Sequence, residues 1–182
     1  MLTFTFQRRV SFEHMQKAVH LFMNKTQAAV LGRRWSRHPI ETRPKLIGMA
    51  RQFELTGDPE PAAAARFFWH TVVAHHTYAI GGNADREYFQ APDTISKFVT
   101  EQTCEHCNSY NMLKLTRHLY AWKPEARLFD YYERAHINHI LAHQNPATGM
   151  FAYMVPLMSG SHRVWSEPFD DFWCCVGSGM ES

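Results

Sequence analysis

Asn111-Met-Leu-Lys-Leu-Thr-Arg-His-Leu-Tyr-Ala121, then Trp122-Lys123-Pro124, then Glu125 through His143, reads as a helix, a tight turn and a returning helix. Pro124 has no N–H to offer a continuing helix, so the first helix stops before it. The same grammar occurs upstream. Pro44 suits a first helical position, and the run after it sets Leu46, Ile47, Ala50 and Phe53 on one face until Thr56-Gly57-Asp58-Pro59 halts it. From Glu60 to about Tyr78 an alanine-rich start leads into Phe68, Val72 and His75 or His76 at helical spacing, and Gly81-Gly82-Asn83 breaks the pattern. Arg51 and Arg117 hold equivalent places before the two turns, so the hairpin recurs after about 66 residues. Repeated hairpins build α-solenoids and closed α/α barrels; an ordinary bundle is the plainer alternative. The expected fold class is therefore all-α, part of an α/α barrel, with a short β segment near residues 150–156, where Met150-Phe-Ala-Tyr-Met-Val-Pro alternates weakly.

Bulk properties narrow the function. At 182 residues and 45% hydrophobic content the chain has enough apolar material for one substantial core. A net charge of +2, with both signs interspersed, offers no basic stripe for nucleic acid. No run approaches the roughly 20 apolar residues that span a bilayer. Met1 to Val10 lacks the basic, apolar and small-residue order of a signal peptide, which favours the cytoplasm; a shortened N-terminus would instead have lost an export signal, leaving a periplasmic or secreted location open. Aromatics at 14% and 12 histidines are frequent for such a length, and both residue types serve carbohydrate sites.

The chemistry concentrates in two places. Glu105-His106-Cys107 and Cys174-Cys175 together offer three sulfurs and a carboxylate, enough for a tetrahedral zinc shell if the fold brings them together. Adjacent cysteines do not readily face one metal from a regular helix, so Cys174 and Cys175 are expected on a turn. Two alternatives stand: a structural four-cysteine site that includes Cys104, and buried inert thiols. A redox role for Cys104-Glu-His-Cys107 would want a βαβ setting that is absent. The long polar segment from Ala79 to Thr103 is of the kind that carries function.

Three blocks bring a family into view: Glu105-His-Cys-Asn-Ser-Tyr-Asn-Met-Leu-Lys-Leu-Thr-Arg117, Tyr153-Met-Val-Pro-Leu157, and Ser166-Glu-Pro-Phe-Asp-Asp-Phe-Trp-Cys-Cys-Val-Gly-Ser-Gly-Met-Glu181. With Ala50-Arg-Gln-Phe-Glu-Leu-Thr-Gly-Asp-Pro59 and Gly81-Gly82, they resemble glycoside hydrolase family 127, the β-L-arabinofuranosidases. The resemblance implies a partial α/α-barrel catalytic domain over residues 44–182, preceded by a divergent segment, residues 1–43. It also implies a retaining glycosidase with Cys174 as nucleophile and Glu87 as general acid/base. Zinc would be held by Glu105, Cys107, Cys174 and Cys175, and the carbohydrate substrate contacted by Tyr153 and His38. Family members are longer, which implies a truncated gene, apolar hairpin faces that invite self-association, and little turnover by this piece alone. A non-catalytic zinc-stabilised scaffold and a different sugar specificity are the competing functions.

Overall fold

The computed structural model describes residues 39–182, with side chains from residue 45 onward. His38 and nearly all of the expected divergent segment lie outside the described residues. Helices dominate. α1 (Pro39–Thr56) and α2 (Pro59–His75) form the first hairpin, and α3 (His106–Trp122) and α4 (Ala126–Ala135) the second. A short α5 (Cys174–Glu181) closes the chain. No helix among the described residues is long and apolar enough to cross a membrane.

The first turn shows how locally the hairpins are encoded. Gly57 takes a left-handed φ of 73° and its N–H bonds the Phe53 carbonyl at 2.8 Å, ending α1 in the conformation glycine tolerates best. Asp58 caps α2 by accepting from the Glu60 N–H at 3.1 Å, and Pro59 follows with its φ already set. Pro44, expected at a helix start, lies inside α1, which begins at Pro39. Pro39 takes the first position, where no N–H is needed, and Pro44 keeps a helical φ inside the helix without an N–H to bond the turn before it.

α1 packs against both α2 and α3, burying Leu46, Met49 and Ala50, while Ile47 and Phe53 are half-buried. Glu54 ties the helices at the rim, accepting from His118 Nδ1 at 2.6 Å and Trp122 Nε1 at 3.0 Å. Deeper, Trp69 Nε1 of α2 donates to Thr116 Oγ1 of α3 at 2.8 Å, and Tyr131 of α4 meets the same indole edge-on. Past Ala135 the return helix changes winding, through a π turn (His136–Ile140) and a 3-10 turn (Leu141–His143). The wider turn brings both His139 and Ile140 into the interior.

The expected β segment is present only as extended chain. Residues 151–154 make single bridges, Gln144 with Phe151, Ala152 with Trp165 and Glu105 with Met154, without a ladder. Each bridge joins a different partner, so no neighbouring strand runs long enough to continue the pairing. Gly81 and Gly82 set the loop after α2 hard against this core. A Cβ on Gly81 would fall 2.5 Å from Ala135 Cα, and one on Gly82 2.6 Å from Cys104 Sγ.

Candidate active site and metal centre

The site forms where the N-termini of α3 and α5 meet. α3 starts five residues earlier than its apolar periodicity announces, so Glu105 is its N-cap residue and Cys107 lies in its first turn. Cys174 and Cys175 open α5 rather than sitting on a turn. In a first turn no preceding helical turn crowds the side chains, which lets neighbouring sulfurs reach one point. Both helix starts carry partial positive charge, favourable for thiolates and carboxylates.

One ligand atom each from Glu105, Cys107, Cys174 and Cys175 lies within 4.8 Å of the others. Cys107 Sγ and Cys175 Sγ are 3.6 Å apart, Cys174 Sγ and Cys175 Sγ 3.8 Å, and Glu105 Oε1 is 3.7 Å from both Cys174 Sγ and Cys175 Sγ. A tetrahedral zinc with bonds of about 2.3 Å to sulfur and about 2.0 Å to oxygen spaces sulfurs about 3.8 Å apart, and sulfur from oxygen about 3.5 Å. The donors fit such an ion. Cys104 does not belong to this cluster: it is fully buried beside Tyr78 and Val155 with its thiol pushed up by burial, so the four-cysteine alternative fails.

The thiols do not ionise alike in the protein by itself. The hydrogen bond it shares with Cys175 pulls Cys107 down to about 6 against its own burial. Cys175 is driven up by the proton it shares with Cys107, then by burial and by Glu105. Burial first, then Cys107 and Glu105, pushes Cys174 up to about 11. Ionising all three thiols beside a buried carboxylate would therefore take a cation.

Of the four, Cys174 alone is exposed. Its Sγ lies 3.6 Å from the Tyr153 hydroxyl, which in turn donates to Glu87 Oε1. Burial, then the Glu87 bond, raises Tyr153 far above an ordinary phenol, so it stays a neutral donor. Glu87 thus engages Tyr153. The loop holding it is strained: Ala84, Arg86 and Glu87 have φ of 71°, 48° and 67°, and Cys104, whose N–H bonds the Ala84 carbonyl, 59°. Trp173 is half-buried with its ring centroid 5.9 Å from that of Tyr153.

Residues 16–182 match the family described as the β-L-arabinofuranosidase GH127 catalytic domain. The chain belongs to that family. The match extends well upstream of Pro44, where the quoted motifs begin. Two solved structures share the fold of this GH127 domain. One is the GH127 β-L-arabinofuranosidase Ara127N-Se from Geobacillus stearothermophilus, with 22% identity over 66% of this chain and 19% of that one, at a TM-score of 0.58. The other is the GH127 β-arabinofuranosidase BT3674, with 24% identity, 78% and 22% coverage and a TM-score of 0.65. The domain thus spans about a fifth of the length of these enzymes. A comparison with curated proteins finds no match.

Beneath the GH127 cluster lies a group in which His139 and His143 have the core place that their helix face suggests, while Ser178 was not singled out from sequence. Ser178 Oγ sits 3.2 Å from Cys107 Sγ and 2.7 Å from His106 Nδ1. His106 stacks on His143 at 3.5 Å, and His139 bonds Ser109 and the Cys104 carbonyl, each at 2.8 Å. Burial, then their mutual proximity, holds His106 down to about 2 and His139 to about 3, so these are neutral core histidines. The only sequence signal for Ser178 was its place in Gly177-Ser178-Gly179, four residues past a candidate ligand.

Proposed function

We propose that this GH127 domain carries the chemistry of a retaining glycosidase acting on terminal β-L-arabinofuranosides. Cys174 is the nucleophile, Glu87 the general acid/base, and Glu105, Cys107, Cys174 and Cys175 hold zinc. The observation that carries the reading is the exposure of Cys174 alone within the ligand cluster, one phenol oxygen away from Glu87. The sugar class comes from the family description and from the names of the two similar enzymes.

When bound, zinc supplies the positive charge that keeps the thiols ionised at neutral pH. Cys174 Sγ forms a bond to the anomeric carbon as the glycosidic C–O bond breaks, and Glu87 passes its carboxyl proton to the departing oxygen. In the second step water gives a proton to Glu87 while its oxygen displaces the sulfur. Two inversions at one carbon restore the starting configuration. Tyr153 directs its single proton toward Glu87 or toward the sulfur, and with Trp173 it limits the water reaching Cys174.

The test is zinc content together with labelling by an arabinofuranose-configured epoxide, located by peptide mass spectrometry. Bound zinc with epoxide attached to Cys174 is expected, and Cys174→Ser should keep most of the metal while losing the label. A metal-free purified protein overturns the metal assignment, and bound zinc with label spread without preference over other residues overturns the enzyme in favour of a zinc-stabilised scaffold.

A further inference from the structure

The GH127 reading uses four ligands and three neighbours but leaves unexplained why a fully buried, uncharged imidazole abuts the cluster. His106 is 0% exposed, and its Nε2 meets no hydrogen-bond partner among the described residues. Its ring is clamped in a stack that runs Tyr110, His106, His143, Phe151, with centroid separations of 6.0, 3.5 and 5.1 Å. It therefore cannot turn to find another partner.

That geometry settles where the protons go. A neutral imidazole carries one N–H. Placed on Nε2, it would be a buried donor with nothing to bond; placed on Nδ1, it points at Ser178 Oγ 2.7 Å away and leaves only a bare acceptor buried. The second arrangement costs less. The serine oxygen then accepts from the ring, and its own proton is left for two acceptors, Cys107 Sγ at 3.2 Å and the Cys175 carbonyl at 3.4 Å. A ligating thiolate is an acceptor only, and it is both the nearer and the charged one of the two, so the proton goes to the sulfur.

We infer that Ser178 is a positioning residue for the metal centre: its hydroxyl accepts from His106 Nδ1 and donates to Cys107 Sγ, so the ring stack aims that sulfur at the other ligands. The inference rests on the metal-site reading above. Ser178 belongs to α5 and Cys107 to α3, so the relay also locks together the two helix starts that supply the ligands. Partners of this kind outside the ligand shell typically change metal affinity by about 10–100-fold.

Cobalt(II) reports the relay directly, because its thiolate charge-transfer absorption responds to hydrogen bonding at sulfur. Ser178→Ala should weaken cobalt binding roughly tenfold or more and shift that band, whereas Ser178→Thr, which keeps the hydroxyl, should restore both. Unchanged affinity and absorption in Ser178→Ala overturn the inference. A metal-independent measurement separates it from the GH127 metal reading. Nitrogen-15 histidine spectra of the metal-free protein should show His106 protonated at Nδ1 and bare at Nε2, with that proton released to solvent exchange in Ser178→Ala. The opposite tautomer overturns the relay. If the wild type takes up no cobalt, the metal reading fails, and the tautomer still decides for or against the Ser178 clamp.

Discussion

Gly179 offers the sharpest perturbation of the site, because it touches no ligand yet sets where two of them sit. A Cβ at this position would fall 2.5 and 2.7 Å from Phe151 Cδ1 and Cε1 and 2.8 Å from His143 Nε2. Ordinary carbon contacts begin near about 3.5 Å, so α5 must withdraw by about 1 Å or the ring must move. The ring has little freedom: Phe151 is buried, stacked on His143, and held by bridges through its own chain to Gln144. Withdrawal of α5 carries Cys174 and Cys175 with it, while a metal site tolerates distance errors of only about 0.2 Å. Gly179→Ala should therefore weaken zinc binding by one to two orders of magnitude and lower stability by about 1–3 kcal/mol. The internal control lies two residues away. Gly177 has nothing within 4 Å of an added Cβ, so Gly177→Ala should bind zinc normally and gain up to about 1 kcal/mol from helix propensity. Competition with a chromogenic chelator, alongside urea unfolding, compares the pair. Equal zinc affinity in the two variants would refute the packing argument.

Two further expectations concern the scaffold. Gly82→Ala should destabilise by about 1–3 kcal/mol in urea unfolding, since its Cβ would lie 2.6 Å from Cys104 Sγ and 2.8 Å from His139 Nδ1, both fully buried; a neutral outcome would mean that this loop is free to shift. Glu54 is held down to about 2 from 4.5, by the His118 bond first and Arg51 next. A folded value below the unfolded one gives stability that is present above about 4.5 and lost as pH falls through about 2. Because the pair lies at the rim, the effect is under about 1 kcal/mol. Glu54→Gln should flatten the acid limb of the urea midpoint against pH, and parallel curves for variant and wild type would contradict this.

The parts of the fold that sequence made legible are those written in neighbouring residues. Thr56-Gly57-Asp58-Pro59 spells a helix end, a cap and a restart, and each residue does that in the structure. At the second turn Lys123 closes α3 with its N–H on the Leu119 carbonyl, and Pro124 blocks continuation. Legibility failed where polar residues are buried. α3 extends back to His106 because Glu105, His106, Asn108 and Ser109 are all fully buried, and apolar periodicity does not register such a surface. The start of α1 at Pro39 and the placing of Cys174 and Cys175 on a helix depart from the sequence reading for related reasons. Pro39 also suits a first helical position, so either proline can open the helix by local sequence, and a first helical turn relaxes the side-chain crowding that argued against adjacent ligands.

By itself the chain determined that helices would pair in hairpins and that one carboxylate and three sulfurs were the donors worth bringing together, because short-range propensity and side-chain chemistry are properties of residues. Tertiary structure alone decided which cysteine is left outside the cluster, which one faces solvent, and that a serine on α5 meets a histidine on α3. Those outcomes depend on how two helix starts, 72 residues apart at Ser178 and His106, are brought to one point by packing on a shared stack of rings. No local signal measures that distance.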